Sequence, residues 1–153
     1  MVAAPEPRRA ALYLDFDNVF SSLARLDREA AWRFATEPGR WLAWLTAGMD
    51  GGGPRRLLLR RCYLNPEGMP GLDATLPAQP RLTYGQHRGH FVQAGFQVVD
   101  CPRLAQMKNG ADMVMALDML DALALPARVE EFLILSGDTD FTPLLHRCAR
   151  MTG

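Results

Sequence analysis

Apolar positions fall into blocks of two kinds along the chain. "ALYLDF" (residues 11–16) is a run of strand length, apolar apart from Asp15, as expected of a strand covered on both faces. "NVFSSLARLD" and "REAAWRFATEPGRWLAWLTAGM" have helical spacing instead. Phe20, Leu23 and Leu26 recur at three, and Trp41, Trp44 and Leu45 make a second face. "DGGGP" (50–54) reads as a turn. "RRLLLRRCYLNP" is a second strand, ended by Asn65-Pro66, and the Pro- and Gly-rich stretch 66–82 is a loop. "YGQHRGHFVQAG" fits a helix closing on Gly95, and "FQVVDC" a third strand stopped by Pro102. "NGADMVMALDMLDALAL" is a helix apolar on nearly every side, so it is expected to be largely buried. "EFLILS" is the fourth strand. "DTDFTPLLHRCARM" is a last helix with Pro143 in its first turn. Residues 1–10 form a polar, flexible lead-in to a domain over 11–153. A helix ending near Gly153 would ordinarily feed another strand, so the domain is expected to continue past that point.

Apolar strands alternating with helices predict an α/β sandwich with a mainly parallel central sheet. Ligands in such sheets sit at the carboxyl ends of the strands. The first strand ends in Asp15, Asp17 and Asn18. The fourth ends in Ser136, Gly137, Asp138, Thr139 and Asp140. The apolar helix opens with Lys108, Asn109, Gly110, Ala111 and Asp112. Two apolar strands whose terminal acids must meet should lie side by side, with strand one inside the sheet.

Composition narrows the options. The 153 residues suffice for one domain with its own core, and 48% of them are hydrophobic, which excludes a disordered chain. Formal net charge is zero, so nucleic-acid binding would need a local patch rather than a basic average. Sixteen of the 17 basic residues are arginine, and Lys108 is the one lysine. Cys62, Cys101 and Cys148 are odd in number and far apart; they fit neither zinc spacing nor a disulfide framework and read as reduced thiols of a cytoplasmic protein. No signal peptide is visible, and no segment reaches about eighteen uninterrupted apolar residues, so no membrane partner is expected.

Several carboxylates at one sheet end repel one another, by roughly 1 to 4 kcal/mol per pair at about 4 Å. Such a cluster takes up protons or binds a cation. An all-oxygen donor set suits hard ions, Mg²⁺ or Mn²⁺, and such ions at an open site serve phosphate chemistry. The competing reading is helix capping, which an Asp after a strand often provides. Asp15, Asp138 and Asp140 together favour a site over three separate caps. Asp118 lies roughly 240° round the helix from Asp112, so it reads as support or as a partner for a backbone or arginine group. Asp121 reads as solvent-facing.

Two families use this opening. "LDFDNV" resembles the first motif of haloacid-dehalogenase phosphatases, which would make Asp15 a nucleophile and Asp17 a general acid. The fuller match is to the NYN domain family of the PIN-like nuclease superfamily, which includes the LabA-like proteins. "YLDFDN", "KNGADMVMALDML" and "LILSGDTDFTPLL" resemble its three motifs in order and spacing over almost the whole chain. The resemblance implies a PIN-like three-layer sandwich and metal-dependent RNA cleavage. It implies that Asp15, Asp112, Asp138 and Asp140 are the catalytic, metal-binding set for Mg²⁺ or Mn²⁺. Asn18 would complete the first motif, with Lys108, Ser136 and Thr139 lining the pocket on the substrate side. A third reading keeps the acidic pocket in a non-catalytic RNA-binding or regulatory module.

Weaker signals point to the RNA. Arg60 and Arg61 are candidates for a phosphate contact or for solvated edge positions. Tyr84, His87, Arg88 and His90 would suit stacking and backbone contact with a single strand. Trp32, Trp41 and Trp44 read as core or as a face between copies of a homo-oligomer.

Overall fold

The computed structural model describes residues 2–68, 83–101 and 110–136. In chain order the elements are β1 (Arg8–Asp15), α1 (Phe16–Leu26), α2 (Arg28–Thr36), α3 (Pro38–Thr46) and β2 (Arg55–Leu64). A 3₁₀ turn (Tyr84–His87) leads into α4 (Arg88–Gln93), followed by β3 (Gln97–Asp100), α5 (Gly110–Leu123) and β4 (Glu131–Leu135). The last helix expected from "DTDFTPLLHRCARM" lies outside the described residues.

The four strands form a parallel sheet of order β3-β2-β1-β4. As the sequence predicted, β1 is interior with β4 beside it. The unbroken apolar run of β1 follows from its position. Leu12 and Leu14 face a core under α1 to α4, while Ala11 and Tyr13 face a second core under α5. With two covered faces the strand has no polar side, and every residue from Ala10 to Asp15 is buried. β1 also takes in Arg8, Arg9 and Ala10, so it starts inside the stretch expected to be a flexible lead-in.

The long helical stretch after α1 breaks in two. Asp27 caps α2, its carboxylate accepting from the Glu29 and Ala30 amides at 2.9 and 3.3 Å. Pro38 then cannot continue α2 and occupies the first turn of α3 instead. α3 closes on Gly48, whose φ of +77° suits glycine. A Cβ there would lie 2.2 Å from the Gly53 carbonyl carbon, which is backbone and cannot give way. Gly48→Ala should therefore cost about 2 kcal/mol or more, read as a lower urea midpoint with an unchanged slope; an unchanged midpoint would contradict this turn.

α5 corrects the sequence reading. It buries only Met115, Met119 and Ala122 against the sheet, while Met113 and Leu117 are 60% and 57% exposed. A cylinder laid on a sheet can press only one stripe onto it, so apolar residues all round do not by themselves make a buried helix. Among the described residues no helix is long and apolar enough to cross a membrane.

Candidate active site at the carboxyl ends of the strands

From β1 the chain steps outward through β2 to β3, with α1 to α4 on one face. It then returns through α5, on the other face, to β4 on the far side of β1. The strand order therefore reverses between β1 and β4, and the crevice above that point is where parallel sheets hold ligands. Asp15 ends β1 there. The register Leu14↔Leu135, continued by one residue, sets Ser136 beside it.

The sequence Asp15-Phe16-Asp17 explains how two acids are held rigidly at this tip. Phe16 is fully buried and meets Tyr84, Phe91, Phe34 and Phe20 with ring centroids 5.2 to 5.8 Å apart. Contacts of this kind add about 0.5 to 1.5 kcal/mol each beyond the area they bury. With Phe16 rooted in the core, its two neighbours are fixed at the rim. Asp15 is 3% exposed. It occupies the N-cap position of α1, yet its carboxylate makes no capping hydrogen bond. Instead it accepts from Asn18 Nδ2 at 2.6 Å. The capping alternative thus does not account for Asp15, and Asn18 stands in contact with it.

Asp17 is the second acid. One carboxylate oxygen accepts from the Asn65 backbone amide at 3.3 Å, tying the start of α1 to the end of β2. Burial pushes its carboxyl up to about 7; the Asn65 amide opposes this and the neighbouring charge of Asp15 adds to it. The field of the pair reaches further. The Cys62 and Cys101 thiols are free and pushed up, Cys101 to about 11, first by burial and then by Asp17 and Asp15. Asn65 mattered to the sequence reading only as a strand stop. The contact is made by the backbone amide, which every residue but proline carries, so the side chain at this position gave no signal of it.

The raised carboxyl has a measurable consequence. The unfolded chain releases this proton near pH 4, whereas the folded protein holds it to about pH 7. Stability from this group is therefore highest in acid, falls as pH rises from about 4 to about 7, and is flat above. Asp17→Asn keeps an acceptor for the Asn65 amide and removes the charge. It should raise the melting stability at pH 8, by roughly 2 kcal/mol once solvent screening is allowed for, and change little at pH 4. Equal gains at both pH values would show that the charge is not the cause.

Asp112 lies in the first turn of α5. Asp118 lies six residues along, about 9 Å down the axis. It accepts from the Tyr63 hydroxyl at 2.5 Å and pairs with Arg61 at 3.2 Å. The sequence reading of Asp118 as an arginine partner holds: it locks α5 onto β2. Asp121 is exposed, as expected. Lys108, Asp138, Thr139 and Asp140 lie outside the described residues. Among the described residues no three His, Cys, Asp or Glu side chains are grouped as a metal site.

Two expectations for RNA contact are corrected. Tyr84 and His87 are 4% and 2% exposed and belong to the aromatic core, where His87 packs on Phe16, Phe20 and Trp32. Burial first, and then His90, lower His87 to about 4, so it is a neutral ring at pH 7 and no phosphate-binding cation. Arg60 and Arg61 are not edge residues, because β2 pairs on both sides. Arg60 donates to the Ala94 carbonyl at 3.2 Å, and Arg61 is held by Asp118. Of the tryptophans, Trp41 is half-buried against Phe34, while Trp32 and Trp44 are 48% and 50% exposed.

The NYN domain family model matches residues 9–153. No curated protein matches the chain. Among solved structures, the crystal structure of VPA0982 from Vibrio parahaemolyticus, a protein of unknown function, is similar with a TM-score of 0.57 at 17% identity. The match covers 97% of this chain and 78% of that one. At that identity the likeness speaks for the fold alone: an α/β sandwich with a parallel sheet between two helical layers. With nearly its whole length matched, this chain belongs to the NYN domain family, whose members are generally nucleases.

Proposed function

We propose that the protein is a metal-dependent ribonuclease acting on single-stranded RNA. The observation that carries this reading is a carboxylate, Asp15, buried at the switch point of a parallel sheet beside a second acid, Asp17, whose carboxyl burial and then the Asp15 charge push up to about 7. The donor chemistry fits a hard cation: Asp15, Asp112 and Ser136 offer oxygen only, and Asp138 and Asp140 of the third motif add two more carboxylates. Asp15, Asp112, Asp138 and Asp140 would hold Mg²⁺ or Mn²⁺. Such an ion supplies a hydroxide from water at neutral pH and neutralises phosphate oxygens.

The chain's own residues do the rest. Asn18 fixes the Asp15 carboxylate through its amide. Asp17, its carboxyl pushed up to about 7, holds the end of β2 in place through the Asn65 backbone amide. Ser136 follows β4 beside Asp15, and Thr139 and Lys108 would line the same pocket on the substrate side. Cleavage of a single-stranded oligoribonucleotide in Mn²⁺, wild type beside Asp15→Asn, tests the reading. Hydrolysis of phosphomonoesters without RNA cleavage would favour the phosphatase reading, and RNA binding without turnover the non-catalytic module.

A further inference from the structure

The rim described so far is acidic: Asp15, Asp17, Asp112, and Asp100 at the end of β3. A polyanion approaching it needs a cation close by. The strands' own arginines do not serve. Arg8, Arg9, Arg55 and Arg56 stand at the opposite end of the sheet, and Arg60 and Arg61 are committed to Ala94 and Asp118. In the segment "YGQHRGH", Tyr84 and His87 are core. Arg88 remains. It ion-pairs with Asp100, and both side chains are half-exposed, 41% and 48%. Its charge also acts on the Cys62 thiol, where it opposes the effect of Asp17 and Asp15.

We infer that Arg88 is a backbone-phosphate contact for the RNA strand, placed at the β3 end of the crevice, away from the phosphate that is cut. This rests on the ribonuclease reading above. Two strand spacings separate β1 from β3, roughly 9.6 Å, a separation suited to a neighbouring phosphate rather than the scissile one. The guanidinium is available because an exposed ion pair is worth little and its partner can be exchanged. The two non-bridging oxygens of a phosphodiester, like the two oxygens of the Asp100 carboxylate, can accept two parallel N–H donors from one guanidinium. Asp100 then presets the arginine and competes with the RNA for it. The strand is thereby laid across the ends of β1, β2 and β3, with Asn65 between the two contact points.

The test uses the full chain, a fluorescent single-stranded oligoribonucleotide, and Arg88→Ala, Arg88→Lys and Asp100→Asn. Binding is titrated over a salt series, cleavage is followed in Mn²⁺, and each variant is melted. Arg88→Ala should weaken binding roughly five- to tenfold and flatten the slope of log K against log salt by about 0.7. The loss should fall on KM rather than kcat. Arg88→Lys should keep the salt slope and recover part of the affinity. Asp100→Asn, which frees the arginine, should bind RNA as tightly as wild type or tighter. A purely structural pair would instead lower the melting temperature equally in Arg88→Ala and Asp100→Asn and leave affinity and slope unchanged, which overturns the inference while wild-type cleavage upholds the ribonuclease reading. A wild type that neither binds nor cleaves RNA overturns both.

Discussion

Arg55→Ala should be among the most destabilising single changes in this protein, costing about 3 to 5 kcal/mol. The Arg55 side chain is 3% exposed at the start of β2. Nε and Nη2 donate to Glu131 at 3.0 and 3.1 Å, and Nη1 and Nη2 donate to Asp50 at 2.7 and 2.9 Å. Nη1 also donates to the Leu45 carbonyl at 2.9 Å, so all five N–H groups are used. Glu131 opens β4, and β1 lies between β2 and β4. One guanidinium therefore ties two strands together beneath the strand that carries Asp15, and ties both to the end of α3. Alanine would leave the facing carboxylates without their partner, which is the costly way to break a buried pair. In a domain of this length the melting temperature should fall by roughly 10 °C. Arg55→Lys should recover only part of it, since one ammonium cannot span two carboxylates and a carbonyl. High salt should mimic only part of the loss, because the guanidinium is buried although its carboxylate partners are partly exposed, whereas the exposed Arg33–Glu29 pair should contribute little at any salt. The Arg55 hydrogen bonds hold the Asp50 carboxyl below its usual range, so this support is present above about pH 4 and is lost as pH falls further. A melting temperature within 2 °C of wild type for Arg55→Ala would refute the clamp.

Arg55 also marks what the sequence left hidden. Its partners are 5 and 76 residues away, and nothing local distinguishes it from Arg56 next to it. The strands were legible because burial on two faces writes an unbroken apolar run, and "LDFDN" was legible because acids ending such a run are costly. The family motifs added Asn18, which does bond to Asp15. "YGQHRGH" misled for a physical reason. Aromatic and imidazole rings suit both base stacking and an aromatic core, and only the packing of the 3₁₀ turn before α4 against Phe16 and Phe20 decides between them. For α5, hydrophobicity gave the element but not which stripe meets the sheet, which depends on β1 and β2.

Asp15→Asn should reduce Mn²⁺-dependent RNA cleavage at least about a hundredfold, since even partners one step removed from a metal typically matter 10- to 100-fold. Its fold should survive. The substituted amide can still accept from Asn18, and Phe16 keeps its place in the aromatic cluster. Removing the Asp15 charge also relieves Asp17, whose carboxyl should titrate lower than in the wild type. The metal-free variant should therefore melt no lower than wild type at pH 8. Metal reverses the order. A hundredfold excess of Mn²⁺ over Kd should stabilise wild type by about 2.7 kcal/mol and the variant by clearly less. A purely structural Asp15 predicts a different pattern: a lower melting temperature without metal and an unchanged Mn²⁺ shift. A phosphatase nucleophile predicts another, in which the variant loses phosphomonoester turnover while still gaining stability from the ion. The ribonuclease reading requires the loss of RNA cleavage and the loss of the Mn²⁺ shift together, in a protein that remains folded. Wild-type cleavage rates from Asp15→Asn would remove this carboxylate, and the crevice it anchors, from the active site.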